Sequence, residues 1–251
     1  MSQRHKIVVL CLNAMADASA NVRIRSAWAI SNACSSRPEF DLQCSEMIVY
    51  DEKHTQSMTT WLGNDLVIKV AEKMLIASRD SEKVAIHAVR TLGYIVSCLA
   101  YICSHDREKE HDIAAAEALL NRSMLSISES VQGPTAKVSW NACHALSKIF
   151  QVPELPLGMC FLSENDPPDL SLVASASWAP TVFSSLCHAV LVAENFKLRI
   201  SAAIALRTLD SRAMYATTYG HVTRCIVAAF DNSLKRDDGP QFRNKIQFET
   251  Y

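Results

Sequence analysis

Glycine is scarce in this 251-residue chain, with six in all, and none falls in a G-x-G-x-x-G or G-x-x-x-x-G-K pattern. Loops that cradle phosphate through exposed backbone N–H groups are therefore missing, which speaks against nucleotide-dependent enzymes. The nine cysteines are an odd number and include no C-x-x-C pair. Most lie within apolar helical runs, where a free thiol behaves as a small hydrophobe, so a reducing intracellular setting, cytoplasmic or nuclear, is expected. An excess of one charge is also missing: Lys and Arg number 25 against 26 acids, net −1. Any electrostatic partner must be met locally rather than by the whole molecule. Aromatic residues make up only 7%, few for stacking nucleic-acid bases. No uninterrupted apolar run approaches the ~18 residues of a membrane span. The longest candidate, YIVSCLAYIC, closely follows Arg90 and is about half that length, so a soluble chain without a span is expected. What is abundant is hydrophobic residues, 49% of the chain, enough for a sizeable core.

The start, MSQRHKIVVLCLNAMADASA, has two readings. Arg4, His5 and Lys6 before an apolar run, with Ala18-Ser19-Ala20 behind it, imitate a secretory signal. The alternative is an amphipathic helix, favoured by the unpaired cysteines and by the repeat register that uses this segment.

Repetition carries the most information. NVRIRSAWAISNA from Asn21, KVAIHAVRTLGYI from Lys83, KVSWNACHALSKI from Lys137 and KLRISAAIALRTL from Lys197 align without a gap. An apolar residue opens each pattern at Val22, Val84, Val138 and Leu198. Small residues follow at +4 (Ser26, Ala88, Ala142, Ala202) and, with Thr91, at +7 (Ala29, Ala145, Ala205). Ile30, Leu92, Leu146 and Leu206 stand at +8. This spacing is one stripe of an α-helix, and the small residues admit a neighbouring helix at close range. A helical run precedes each copy, at Ile7 to Asp17, Leu66 to Ala77, Ile113 to Ile127 and Trp178 to Ala193, so the expectation is an all-α chain of antiparallel helix pairs. Turns are expected at 18–20, 80–81, 133–134 and 194–195. The expected units are 5–35, 64–104, 112–151 and 178–210, with a partial fifth over 214–251 whose first helix runs from His221 to Leu234. Residues 35–63 and 152–177 are expected to be inserted loops, since the copies begin 62, 54 and 60 residues apart.

The pattern Leu198-Arg199-x-x-Ala202-x-x-Ala205-Leu206, and its near-copy Val22-Arg23-x-x-Ser26-x-x-Ala29-Ile30, resembles the second helix of HEAT repeats. KVSWNACHALSKIF, followed by LPLG, SWAPTVFSSL and NFKLRISAAIAL, is similar to the C-terminal repeats of the HEAT repeat-containing protein 6 family. The likeness extends over residues 136 to 232 and, less closely, over 20 to 100. It implies an α-solenoid of the HEAT/armadillo type with four to five helix pairs, and no defined chemistry. The departures are Ala85 and Ser139, which stand where a continuous ladder of HEAT arginines needs Arg.

Candidate chemistry is thin. Cys143 and His144 are neighbours about 100° apart around a helix, and no other copy repeats the pair, so packing is the favoured reading. Cys98, Cys103, His105 and His111 are ligand types that zinc accepts, but Cys98 and Cys103 are on different helical faces and the histidines are expected in a charged loop. His54 lacks the second histidine of a zincin helix, and Ser184, Ser185 and His188 have no acidic orienter nearby in sequence. No catalytic residue, cofactor or metal site is expected, so a metal-dependent enzyme is the remote alternative.

Surface remains. Arg23, Arg25, Lys83, Arg90, Lys137, Lys148, Lys197, Arg199 and Arg207 all belong to second helices, where acids are few. One reading is a basic groove for an acidic peptide or a phosphate backbone; the other is solvated helix ends with arginines held between repeats. The expected function is a non-catalytic scaffold for protein partners, with a nucleic-acid or transport adaptor as the alternative. Because QFRNKIQFETY is short and polar, the apolar first helix of the fifth pair is expected to lack a covering partner within this sequence and to associate through that end.

Overall fold

A computed structural model describes residues 3–35, 52–105, 110–153, 155, 177–209, 215 and 218–233. Among these residues the chain is all-α, with ten helices and no strand. They are α1 (Gln3–Ala14), α2 (Ala20–Cys34), α3 (Glu52–Leu62), α4 (Asn64–Ala77), α5 (Glu82–His105), α6 (Glu110–Val131), α7 (Ala136–Ile149), α8 (Ala179–Val192), α9 (Phe196–Arg207) and α10 (Tyr219–Ser233).

Local chemistry sets where these helices begin. Asn195 accepts hydrogen bonds at Oδ1 from the backbone N–H of Lys197 and Leu198, and Thr135 Oγ1 accepts from Val138 N–H; both occupy an extended N-cap. Asp17 and Asp80 bind the N–H of Ser19 and Ser81 in the equivalent turns. Gly63 joins α3 to α4 at φ 77°, a conformation that costs glycine little and other residues more.

Each short turn sets two helices side by side: α1 on α2, α4 on α5, α6 on α7 and α8 on α9. The first members also touch in succession, α1 to α4 to α6 to α8 to α10, and the second members likewise, α2 to α5 to α7 to α9. The core lies between the rows, with Val84, Ala88 and Leu92 of α5, Ala142 and Leu146 of α7, and Ala202 and Ala205 of α9 excluded from solvent. The sequence stripe is thus the buried stripe, except in α2, where Val22 is 37% exposed.

Two stretches differ from expectation. The segment 35–63, read as an inserted loop, contains α3, which packs on α5 and α4 and buries Thr55, Met58, Thr59 and Leu62. Apolar side chains are sparse there, so the pattern gave little warning. The charged loop expected to hold both histidines is shorter than supposed: His105 ends α5 and His111 belongs to α6. The resulting 24-residue α5 is long and apolar enough to cross a membrane by composition, yet 67% of that window is buried against protein. Its apolar character is that of a central helix with α2, α3, α4, α6 and α7 around it. Residues 156–176, within the second expected insertion, and 234–251, containing QFRNKIQFETY, lie outside the described residues. On α10, Val227 is exposed while Ile226 packs against the core.

Candidate partner-binding surface

The nine basic residues singled out in the sequence fall on α2, α5, α7 and α9, where the only acid is Glu82. The structure divides them by task. Arg23 and Arg199 hold turns. Arg23 donates to the carbonyls of Asp17 and Ala18 at 2.9 and 3.0 Å, and Arg199 to those of Ala193 and Glu194 at 2.7 and 2.9 Å. The partners stand six and five residues back in both copies, so the two arginines repeat one geometry. Arg199 is buried, whereas Arg23 also reaches the next turn, where Nε meets the Asp80 carboxylate at 2.7 Å. That hydrogen bond holds the Asp80 carboxyl below its ordinary pKa. In the third copy Ser139 takes the arginine's place, and its hydroxyl lies between two carbonyl acceptors, Thr135 at 3.1 Å and Gly133, again six residues back, at 3.4 Å. Ala85 has no group to do so.

Arg25, Lys83, Lys137, Lys197 and Arg207 are exposed, while Arg90 and Lys148 are half-buried. The two half-buried cations belong to one polar cluster. Lys148 Nζ donates to the Tyr94 hydroxyl at 2.8 Å and lies 4.1 Å from its ring centre; Tyr94 in turn donates to Ser35 Oγ at 3.2 Å. Burial raises the pKa of the Tyr94 hydroxyl, but the charge and hydrogen bond of Lys148, helped by Ser35 and Arg90, outweigh it and leave the group below its ordinary value. His144 is pulled down to about 4, first by burial and then by Lys148 and Arg90. It is neutral near pH 7, with its ring edge-on to Trp140 at 4.9 Å. Trp28 and Trp140 are both exposed, 39% and 42%. Trp28, Arg90, His144 and Ile204 occupy the same position in the four copies, six beyond the opening residue. The sequence alignment held this register, but nothing in it showed that Tyr94 would join the cations.

Cys143 faces the core while His144, half-buried on a neighbouring face of the helix, packs on Trp140, so the adjacent pair forms no dyad. Burial pushes the Cys143 thiol far up, which leaves it protonated and inert. Cys98 is fully buried, with Sγ 4.0 Å from the Thr55 carbonyl, and its thiol is raised to about 12 by burial. His105 stacks on Tyr101. His54 Nε2 lies 3.3 Å from the Cys34 carbonyl, and Ser185 accepts a hydrogen bond from Ser128 at 2.8 Å while Ser184 and His188 stay exposed. A groove of about 770 Å3 between α1 and α4, walled in part by His5, Asp65, Lys69, Glu72 and Lys73, mixes both charges.

One grouping escaped the sequence reading. Cys187 of α8 meets His221 and Cys225 of α10, and their sulfur and nitrogen atoms all lie within 4.8 Å of one another. The i, i+4 spacing of His221 and Cys225 was visible; Cys187 joins them only when α8 packs on α10.

A scan against protein-family profiles returns no match. The chain is similar to an uncharacterized protein of Dictyostelium discoideum, 28% identical over 137 residues that cover 52% of this chain and 9% of the relative. The chain thus spans less than a tenth of that relative's length.

Proposed function

We propose that the chain is a HEAT-type α-solenoid serving as a non-catalytic, intracellular scaffold, and that it holds an acidic protein segment along its row of second helices. The observation that carries this reading is the charge segregation: nine Lys and Arg against Glu82 alone on α2, α5, α7 and α9, in a chain with balanced charge overall. The succession of first helices on one side and second helices on the other supports the solenoid, as do the matched turn brackets of Arg23 and Arg199. In such an array the second helices line the concave side. With Arg23 and Arg199 committed to turns, the contacts fall to Arg25, Lys83, Arg90, Lys137, Lys148, Lys197 and Arg207, with Trp28 and Trp140 as apolar anchors.

Affinity capture from cell extract with the unmodified chain and with a Lys83→Glu/Arg90→Glu/Lys137→Glu/Lys148→Glu variant tests this. Proteins held by the first and lost by the second are the expected result; an identical set on both counts against it. Capture that vanishes after nuclease treatment, together with RNA or DNA binding that falls steeply with salt, would favour the nucleic-acid adaptor instead.

A further inference from the structure

We infer that Cys187, His221 and Cys225 bind one zinc ion that clips α10 to α8. His221 and Cys225 are four residues apart and so share one face of α10, and Cys187 comes from the helix against which that face packs. Cys225 Sγ lies 3.7 Å from His221 Nε2. A sulfur and a nitrogen on the same tetrahedral zinc lie ~3.6 Å apart, given Zn–S of ~2.3 Å and Zn–N of ~2.0 Å. The donors therefore need little movement to close on an ion.

Their chemistry selects the metal. Two thiols and an imidazole are a soft to borderline set that suits zinc and disfavours magnesium or calcium, which take oxygen. Two thiolates would balance the charge of a divalent ion within a largely apolar wall. Phe183 and Tyr215 pack there as tilted rings with centres 5.6 Å apart, and Tyr215 adjoins Tyr219 at 5.9 Å. Tyr215 donates its hydroxyl proton to the Leu206 carbonyl at 2.6 Å and is engaged there. Cys187 and Cys225 are buried, while His221 is exposed, so the ion enters from the His221 side and its fourth position goes to water. Burial, and then Cys225, pushes the Cys187 thiol up, so without metal it keeps its proton. Binding replaces the thiol protons with the metal and releases them to solvent. Elsewhere, the cysteines and histidines between Cys98 and His105 point into separate surroundings, and none forms a comparable group among the described residues.

The test is elemental analysis of the full chain, purified under reducing conditions, loaded with zinc and dialysed. One zinc per chain is expected, lost in Cys187→Ser, Cys225→Ser and the exposed-site variant His221→Gln, and retained in Cys103→Ser. Cobalt in place of zinc should give a thiolate-to-metal charge-transfer band that disappears with the same three variants. Circular dichroism should show His221→Gln as helical as the parent, which separates loss of metal from loss of fold. An unmodified chain that holds no zinc or cobalt overturns the inference, as does metal that survives all three substitutions. A Cys187–Cys225 disulfide that persists under those reducing conditions also overturns it.

Discussion

Gly93 of α5 faces Ala145 of α7 so closely that a Cβ on Gly93 would stand 2.9 Å from the Ala145 Cβ and 3.1 Å from its Cα. Real Cβ atoms essentially never approach that near, and one of the two contacts is backbone, which has no rotamer to swing aside. Gly93→Ala should therefore force α5 and α7 apart and destabilise by about 1–3 kcal/mol, despite alanine's better helix propensity. Ala145→Gly in the same chain should recover part of the loss. Denaturant unfolding of the two single variants and the double variant measures the coupling.

Ala202 makes the same point one helix further on. It is fully buried at the small-residue position of α9, in the helix that packs against α7. Ala202→Leu should lower stability by about 1–3 kcal/mol through overpacking. Cys143→Ala, which removes one buried sulfur and adds nothing, should be milder. An unchanged melting temperature for Ala202→Leu would mean that the shared register is misassigned.

Arg199 and Lys197 are two residues apart on α9 and should behave differently. Arg199 is buried and donates to two carbonyls of the preceding turn, whereas Lys197 is exposed. Arg199→Ala should cost about 1.5–3 kcal/mol because it removes the charge-assisted hydrogen bonds that a buried guanidinium makes to the Ala193 and Glu194 carbonyls. Lys197→Ala should stay within about 0.5 kcal/mol. Arg199→Lys should recover little, since one ammonium on a flexible stem lacks the guanidinium's planar fork.

The helices of the repeats were legible because the buried stripe recurs: Val84, Ala88 and Leu92 follow the same spacing as Val138, Ala142 and Leu146. The arginine brackets were half legible, as a motif in two copies whose hydrogen-bond targets no pattern displays. What stayed hidden depends on contact between distant segments. Helix α3 has few apolar residues and is held by what it touches on α5. Tyr94 meets Lys148 from another helix 54 residues away, and Cys187 meets His221 and Cys225 across α8 and α10.

His144 links stability to pH. Its pKa is about 4 in the folded chain against an ordinary 6.5, so between these values the unfolded chain binds the extra proton. Its contribution is therefore fully present above pH 6.5 and is lost as pH falls toward 4. Stability should decline by up to about 3 kcal/mol over that window on this account, and His144→Gln should flatten the decline. Chemical denaturation of both proteins at pH 7 and pH 4.5 checks the sign.

The central claim is that partners dock on the second helices. Lysine acetylation rates, read by mass spectrometry with and without a captured protein, test it most directly. Lys83, Lys137 and Lys197 on α5, α7 and α9, and Lys69 and Lys73 on α4, are all exposed in the chain alone. Protection of the first three with Lys69 and Lys73 unchanged is the predicted result. Protection of Lys69 and Lys73 with the second-helix lysines unchanged would contradict the account.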